Sequence, residues 1–266
     1  MIRHFTCALA AAAMLGVAGC SSKPKEDPNS TQAVEKLYAD AKDEMSSGGW
    51  DRAIKILERI EGRAAGTLLA EQASIDLAYA QYKSGERATA LATLDRFIKL
   101  HPSSPALDYA IYLRGIVNFN ENLGVLSMLS RQDLSERDQH ASREAFQSFK
   151  QLVDQFPRSR YADDARLRMD YIVNALAEYE VHVARYYFRR GAYVAAANRA
   201  QQAVTEFQQA PATEEALYIL AASYERLGLD PLRRDAERVL KQNFPTSAYL
   251  SSGDVRQRNR AWWQFW

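Results

Sequence analysis

The stretch from Ala73 to Pro102, ASIDLAYAQYKSGERATALATLDRFIKLHP, cannot bury its own apolar surface, and that constrains the whole chain. It reads as two amphipathic helices joined at Ser84–Gly85 and stopped by Pro102. Ala73, Leu77 and Ala80, then Ala90, Leu94 and Phe97, recur at three- and four-residue steps, one apolar stripe per helix. Ala78 and Ala90 are small enough for two antiparallel backbones to cross closely. Gly85 can take the left-handed turn conformation, and Pro102 cannot continue a helix. Such a hairpin is stable only with copies beside it.

Copies are present. Gly48, Trp50, Ala53 and Leu57 repeat as Gly85, Ala90 and Leu94, as Gly191, Tyr193, Ala196 and Ala200, and in weakened form as Gly228 with Arg233 in the alanine slot. Gly48 lies 37 residues before Gly85, and Gly191 lies 37 before Gly228. The stop recurs as His101-Pro102-Ser103-Ser104, Phe156-Pro157-Arg158-Ser159 and Phe244-Pro245-Thr246-Ser247, each proline 12 residues after its alanine slot. A period near the roughly 34 residues of tetratricopeptide repeats predicts an all-α, superhelical array of about five helix pairs. The first runs from about Thr31 to Ala65 and ends at Gly62 and Gly66 instead of a proline. The third begins at Pro105 and is interrupted by an insertion at about 120–140, NENLGVLSMLSRQDLSERDQH, which is read equally as a binding loop or as variation. Ser135-x-x-Asp138 could cap the helix after it. From Ala162 to Arg190 neither glycine nor proline intervenes, which predicts one long helix with a candidate break near Asn174. The five-unit domain spans 31–250, and a tail of basic and aromatic residues, 251–266, follows.

The first 19 residues have a positive end at Arg3, an apolar run from Ala8 to Val17 too short to span a bilayer, and small residues Val17-Ala18-Gly19 ahead of Cys20. Residues 20–30, with two prolines and mixed charge, read as a flexible tether. Val-Ala-Gly-Cys resembles the bacterial lipoprotein box, which implies cleavage before Cys20, acylation of that residue, and anchoring in the outer membrane of a Gram-negative cell on its periplasmic face. Ser21 at the next position, in place of Asp, is what implies the outer membrane. Cys7 would leave with the signal, so the mature chain would carry neither a free thiol nor a disulfide.

Chemistry is sparse. The formal charge of +1 includes Arg3 of the signal, so the mature chain nets about zero and nothing global attracts nucleic acid. His4, His101, His140 and His182 stand on separate elements without metal-ligand spacing, and no nucleophile or phosphate-cradling motif is present. The expectation is no enzyme, no cofactor and no metal. Asp163-Asp164 and Glu214-Glu215 read as helix N-terminal acids placed by the macrodipole.

Three segments carry a family resemblance: LDRFIKLHPSSPALDYAIYLRG (94–115), RDQHASREAFQSFKQLVDQFPRSRYADDA (137–165) and VARYYFRRGAYVAAANR (183–199). They are similar to the BamD family of ComL-like tetratricopeptide lipoproteins, over about Glu35 to Tyr249. The resemblance implies a subunit of the barrel-assembly (BAM) machine that docks on the BamA periplasmic domain, carries other BAM lipoproteins in some species and receives unfolded outer-membrane proteins. It says nothing of the tail after Gly253.

In tetratricopeptide folds the first helix of each pair lines the concave groove. Spacing from the repeat glycines puts Tyr38, Ile75, Tyr79, Tyr82, Tyr109, Tyr112 and Phe119 on that face, where aromatic walls would suit an aromatic-ended peptide. The same rings could equally be packing between repeats. Arg199 is the only charge in AYVAAANRAQQAV, and the resemblance puts it toward the BamA domain, either as a partner contact or as a solvated helix arginine. The tail aromatics have three candidate destinations: an anionic membrane surface, the chain's own groove, or the fifth repeat. Competing functions are a lipoprotein assisting secretin or pilus assembly and a cell-wall-associated scaffold or enzyme.

Overall fold

The computed structural model describes residues 30–119 and 136–250; Cys20, the tether, most of the 120–140 insertion and the 251–266 tail lie outside them. Ten helices and no strand occur among the described residues. They are α1 Thr31–Ser46, α2 Trp50–Arg63, α3 Leu68–Lys83, α4 Arg87–Leu100, α5 Leu107–Asn118, α6 Glu136–Gln155, α7 Ala162–Arg189, α8 Tyr193–Glu206, α9 Thr213–Arg226 and α10 Asp230–Asn243. The fold is an all-α series of tetratricopeptide-type helical hairpins. The chain divides into two compact units, residues 1–80 and 81–266.

Within hairpins the same turn closes each pair. At Gly85, φ is +91°; its N–H donates to the Tyr82 carbonyl at 3.1 Å, and the Glu86 N–H reaches back to the Gln81 carbonyl at 2.8 Å. A left-handed residue followed by this six-residue return is a Schellman cap, which satisfies carbonyls that the helix end leaves free. The bond pattern recurs at Gly48, Gly191 and Gly228. Between hairpins the Pro-x-Ser stop is equally regular. The N–H of Ser104, Ser159 and Ser247 donates to the carbonyl of residue 101, 156 and 244 at 2.9–3.1 Å. Each serine hydroxyl then accepts the N–H two residues on, at 3.2–3.4 Å.

In the first unit, α1, α2 and the start of α3 share a core of Val34, Ala41, Met45, Ala53, Leu57, Ile60, Ala73, Leu77 and Ala80. Ser30 caps α1, its hydroxyl accepting the Ala33 N–H at 3.3 Å. Trp50 meets Tyr79 edge-on at 6.0 Å.

The second unit has two cores. Leu107, Ile111, Ala145, Phe149, Leu152, Ala165, Ile172 and Leu176 form one; Val181, Ala184, Ala196, Ala200, Ala203, Ala216, Ile219 and Leu220 form the other. Helix α7 supplies residues to both, which is why it needs 28 residues, about 42 Å at 1.5 Å each. It passes through Asn174 unbroken. Helix α6 begins at Glu136, inside the stretch expected as an insertion, so the last five residues of 120–140 belong to the third hairpin. The alanine slots Ala53, Ala90, Ala145 and Ala196 are all 0% exposed. In α10 the slot holds half-buried Arg233, paired with Asp230 and Glu237, and burial moves to Ala236 and Leu240.

Candidate interaction surface

The seven positions expected on the groove face fare differently. Ile75 is 1% exposed and offers no surface to a peptide, because α3 is buried nearly all round from Ala73 to Ala78. Tyr38, Tyr79, Tyr82, Tyr109, Tyr112 and Phe119 are half-buried. A tyrosine in that state can present a ring while its hydroxyl is committed elsewhere, and two of these are tied so.

In the first unit Tyr38 of α1 donates its phenol hydrogen to Asp76 Oδ2 of α3 at 2.7 Å. Lys42 Nζ reaches the same oxygen at 3.3 Å, and Gln72 Nε2 donates to the other at 3.4 Å. Asp76 is 7% exposed and is the charge that these donors satisfy. Burial, then the Asp76 carboxylate, pushes the Tyr38 phenol well above its ordinary range.

The second unit repeats the device. Tyr112 of α5 donates to Asp164 Oδ2 of α7 at 2.6 Å, and Arg168 Nε donates to that oxygen at 2.6 Å. Burial and the Asp164 carboxylate push the Tyr112 phenol up to about 12. Burial pushes the Asp164 carboxyl up, but hydrogen bonds from Tyr112 and Arg168 outweigh it and hold the group below the usual carboxylate range. Both ties join the first helix of one hairpin to the first helix of the next. A third link of this kind is the two-pronged pair Arg185 (α7) to Glu215 (α9), at 2.6 and 2.7 Å.

Around the Tyr112 tie lies an aromatic cluster. Tyr161 stacks on Tyr112 at 4.7 Å and 17° and lies 5.3 Å from Tyr109. Phe119 packs against Phe149 and Tyr171 at 6.1 and 5.6 Å. Two cations cover it: Arg160 stands 4.8 Å from the Tyr161 ring and Arg168 4.8 Å from the Phe119 ring. Rings with guanidinium groups over them match a peptide that ends in an aromatic side chain and a carboxylate. Tyr161, Tyr171, Arg160 and Arg168, and the buried Phe149 ring beneath them, were not legible as part of this cluster. The one signal was the shared ending of FPRSRY and FPTSAY, which places Tyr161 and Tyr249 alike.

The helix N-terminal acids do more than the macrodipole reading assigned them. Besides Asp164 and Glu215, Asp108 accepts the Ser159 hydroxyl at 2.7 Å and Glu214 accepts that of Ser247 at 2.5 Å. Each binds the Pro-x-Ser stop to the start of the preceding hairpin's first helix.

Arg199 is not the isolated charge that its segment suggested. Its Nη1 lies 3.2 Å from Glu180 Oε2, whose side chain is 3% exposed, so Arg199 compensates a buried carboxylate on α7. Its own side chain is 42% exposed. Among the described residues no group of His, Cys, Asp and Glu is placed to hold a metal ion, and no helix is long and apolar enough to cross a membrane.

Residues 30–240 match the model of the YfiO family, described as outer membrane lipoprotein. The chain belongs to the YfiO family. The outer membrane protein assembly factor BamD of Neisseria meningitidis serogroup B is 46% identical over 256 residues, 95% of this chain and 96% of that one. The BamD of Xylella fastidiosa (strain Temecula1) is 37% identical over 234 residues, 88% and 80% of the two chains. That of Vibrio cholerae serotype O1 is 34% identical over 225 residues, 85% and 92%. Among solved structures, the TPR2AB domain of yeast Sti1 aligns with this YfiO-family chain over 83% of its length and 81% of its own, at 13% identity and a TM-score of 0.44.

Proposed function

We propose that this YfiO-family chain is a non-enzymatic outer-membrane protein assembly factor, a lipoprotein subunit of the barrel-assembly complex. The observation that carries the reading is the likeness, along nearly the whole chain, to relatives named as assembly factors, the Neisseria meningitidis protein at 46% identity. The tetratricopeptide hairpins, with half-buried aromatics on their first helices, support a scaffold that receives peptide. The chain is anchored through lipid on Cys20 at the periplasmic face of the outer membrane, docks on the BamA periplasmic domain, carries other BAM lipoproteins and receives unfolded β-barrel proteins. The Tyr109–Tyr112–Tyr161–Phe119 cluster with Arg160 and Arg168 takes the aromatic-ended C-terminus of a barrel substrate, and the exposed part of Arg199 faces the BamA partner.

Photo-crosslinkers at Tyr109 and Phe119 test the substrate part. They capture a barrel-derived peptide ending in phenylalanine and lose it when that residue is removed; equal capture of a scrambled peptide refutes the site. Purification from detergent-solubilised membranes tests the assembly part. Recovery of BamA supports it, and recovery of a secretin or of peptidoglycan fragments in its place refutes it. Mass spectrometry finding a free Cys20 thiol in the membrane-bound protein would end the anchor assignment.

A further inference from the structure

The chain leaves α10 as it leaves α6. After α6, the Ser159 hydroxyl donates to Asp108, the second residue of α5, at 2.7 Å and accepts the Tyr161 N–H at 3.2 Å. The Tyr161 ring then stacks on Tyr112 at 4.7 Å and 17°. After α10, the Ser247 hydroxyl donates to Glu214, the second residue of α9, at 2.5 Å and accepts the Tyr249 N–H at 3.2 Å. The Tyr249 ring stacks on Tyr218 at 4.9 Å and 24°, and Tyr218 holds the place in α9 that Tyr112 holds in α5. Even the backbone agrees: Ala162 N–H reaches the Ser159 carbonyl at 3.0 Å, and Leu250 N–H reaches the Ser247 carbonyl at 3.2 Å. In the first case this geometry launches α7, which starts at Ala162. In the second it delivers the chain to Leu250, with residues 251–266 still to place.

The face those residues would meet differs from its counterparts. Leu229 and Leu232, at the α9–α10 turn, are 41% and 46% exposed. At the matching positions the α3–α4 turn has Glu86 and Thr89, and the α7–α8 turn has Ala192 and Ala195. Among the described turns only this one carries two large exposed leucines, a pair that water disfavours. Length fits as well. Helix α10 has 14 residues, about 21 Å, and the step from Leu250 to Trp262 is about 18 Å at helical rise. A segment launched at Tyr249 and running back along α10 therefore brings Trp262, Trp263, Phe265 and Trp266 abreast of that turn.

We propose that residues 251–266 fold back on the fifth hairpin and cover Leu229 and Leu232 with their tryptophans. Gly253 and Arg256 stand where Ala165 and Arg168 stand in α7, so the first turn is compatible with the same start. Arg260 stands at the place of buried Ile172, so the segment shares the launch and direction of α7 and not its core. Val255, Trp262 and Trp266 are spaced to share one helical face. The occupant is the chain's own segment, not a bilayer and not a second copy.

The test uses the full chain, its Leu229→Ser/Leu232→Ser variant and a chain stopped after Leu250. Both leucines are surface residues, so the variant retains the fold. Truncation speeds amide hydrogen exchange in α10 about tenfold, and the double serine variant makes the tail tryptophans at least twice as quenchable by acrylamide. Trp50, the one tryptophan outside the tail, supplies the constant background. Equal quenching in the variant and the parent chain overturns the proposal. So does protection of α10 that grows with protein concentration, which marks a second copy, or that appears only with anionic vesicles, which marks a membrane.

Discussion

Tyr112 and Tyr38 do one job at two places: each gives a phenol hydrogen to a carboxylate on the next hairpin's first helix. Tyr112→Phe removes that donor and leaves Asp164 to Arg168 alone, a loss of about 1–2 kcal/mol in denaturant unfolding. The pH dependence follows from the phenol. Folding holds its proton more tightly than the unfolded chain does, raising it from an ordinary 10 to about 12. The stabilisation is therefore whole below pH 10 and lost as the pH rises through about 12, and Tyr112→Phe flattens that alkaline limb in melting curves. Asp164 is the mirror case. Its folded carboxyl is held low, so its contribution is whole above the ordinary carboxylate range and fades as acid protonates it. Arg199→Ala strands Glu180, 2% exposed, with its charge uncompensated. Since the arginine is itself 42% exposed, the loss is about 1–3 kcal/mol, and Glu180→Gln in the same chain restores most of it. If the second change brings no recovery, the pair is not what Arg199 contributes to the fold.

At the scale of elements, small residues set how closely helices approach. Gly115 in α5 faces the Phe149 ring of α6, and a Cβ there would lie 2.5 Å from it. Glycine to alanine in a helix ordinarily stabilises by about 1 kcal/mol. Here the ring is 0% exposed and cannot retreat, so Gly115→Ala reverses the sign and lowers stability by about 1–3 kcal/mol. Ala90→Leu carries the same expectation, because Ala90 is 0% exposed in the alanine slot of α4. An unchanged melting temperature in either variant would put the helix in a different register.

At the scale of the whole molecule, nearest-neighbour hairpins make stability additive along the chain. Breaking one tie between first helices loosens its own pair more than distant ones. Hydrogen exchange in Tyr112→Phe is expected to rise in α5 to α7 and to stay at the parent level in α10. A uniform rise from α4 to α10 would mean that the second unit melts as one block. An assembly factor needs surface for partners, and exposed Leu68, Leu100, Leu167, Tyr186 and Val194 are apolar groups that the described helices leave uncovered.

What the sequence determined by itself is local. Turn glycines, Pro-x-Ser stops and the 3.6-residue stripes are written in short windows, so helix pairs, the buried Ala90, Leu94 and Phe97, and the length of α7 were legible in the sequence, while the candidate break near Asn174 was settled only by the structure. Periodicity marks which residues face a neighbour, but it does not say which atom meets which. Tyr38 to Asp76 spans 38 residues, Tyr112 to Asp164 spans 52, and Arg199 to Glu180 spans 19. These pairings exist only once hairpins stack, and stacking changed the reading of three things. Helix N-terminal acids became links between repeats, Ile75 went from wall to core, and Arg199 turned from a lone charge into the counterion of a buried carboxylate. Helical spacing costs nothing to read because the backbone enforces it within each helix. A hydrogen bond across 52 residues is set by how two helices pack side by side, and only the tertiary structure decides that.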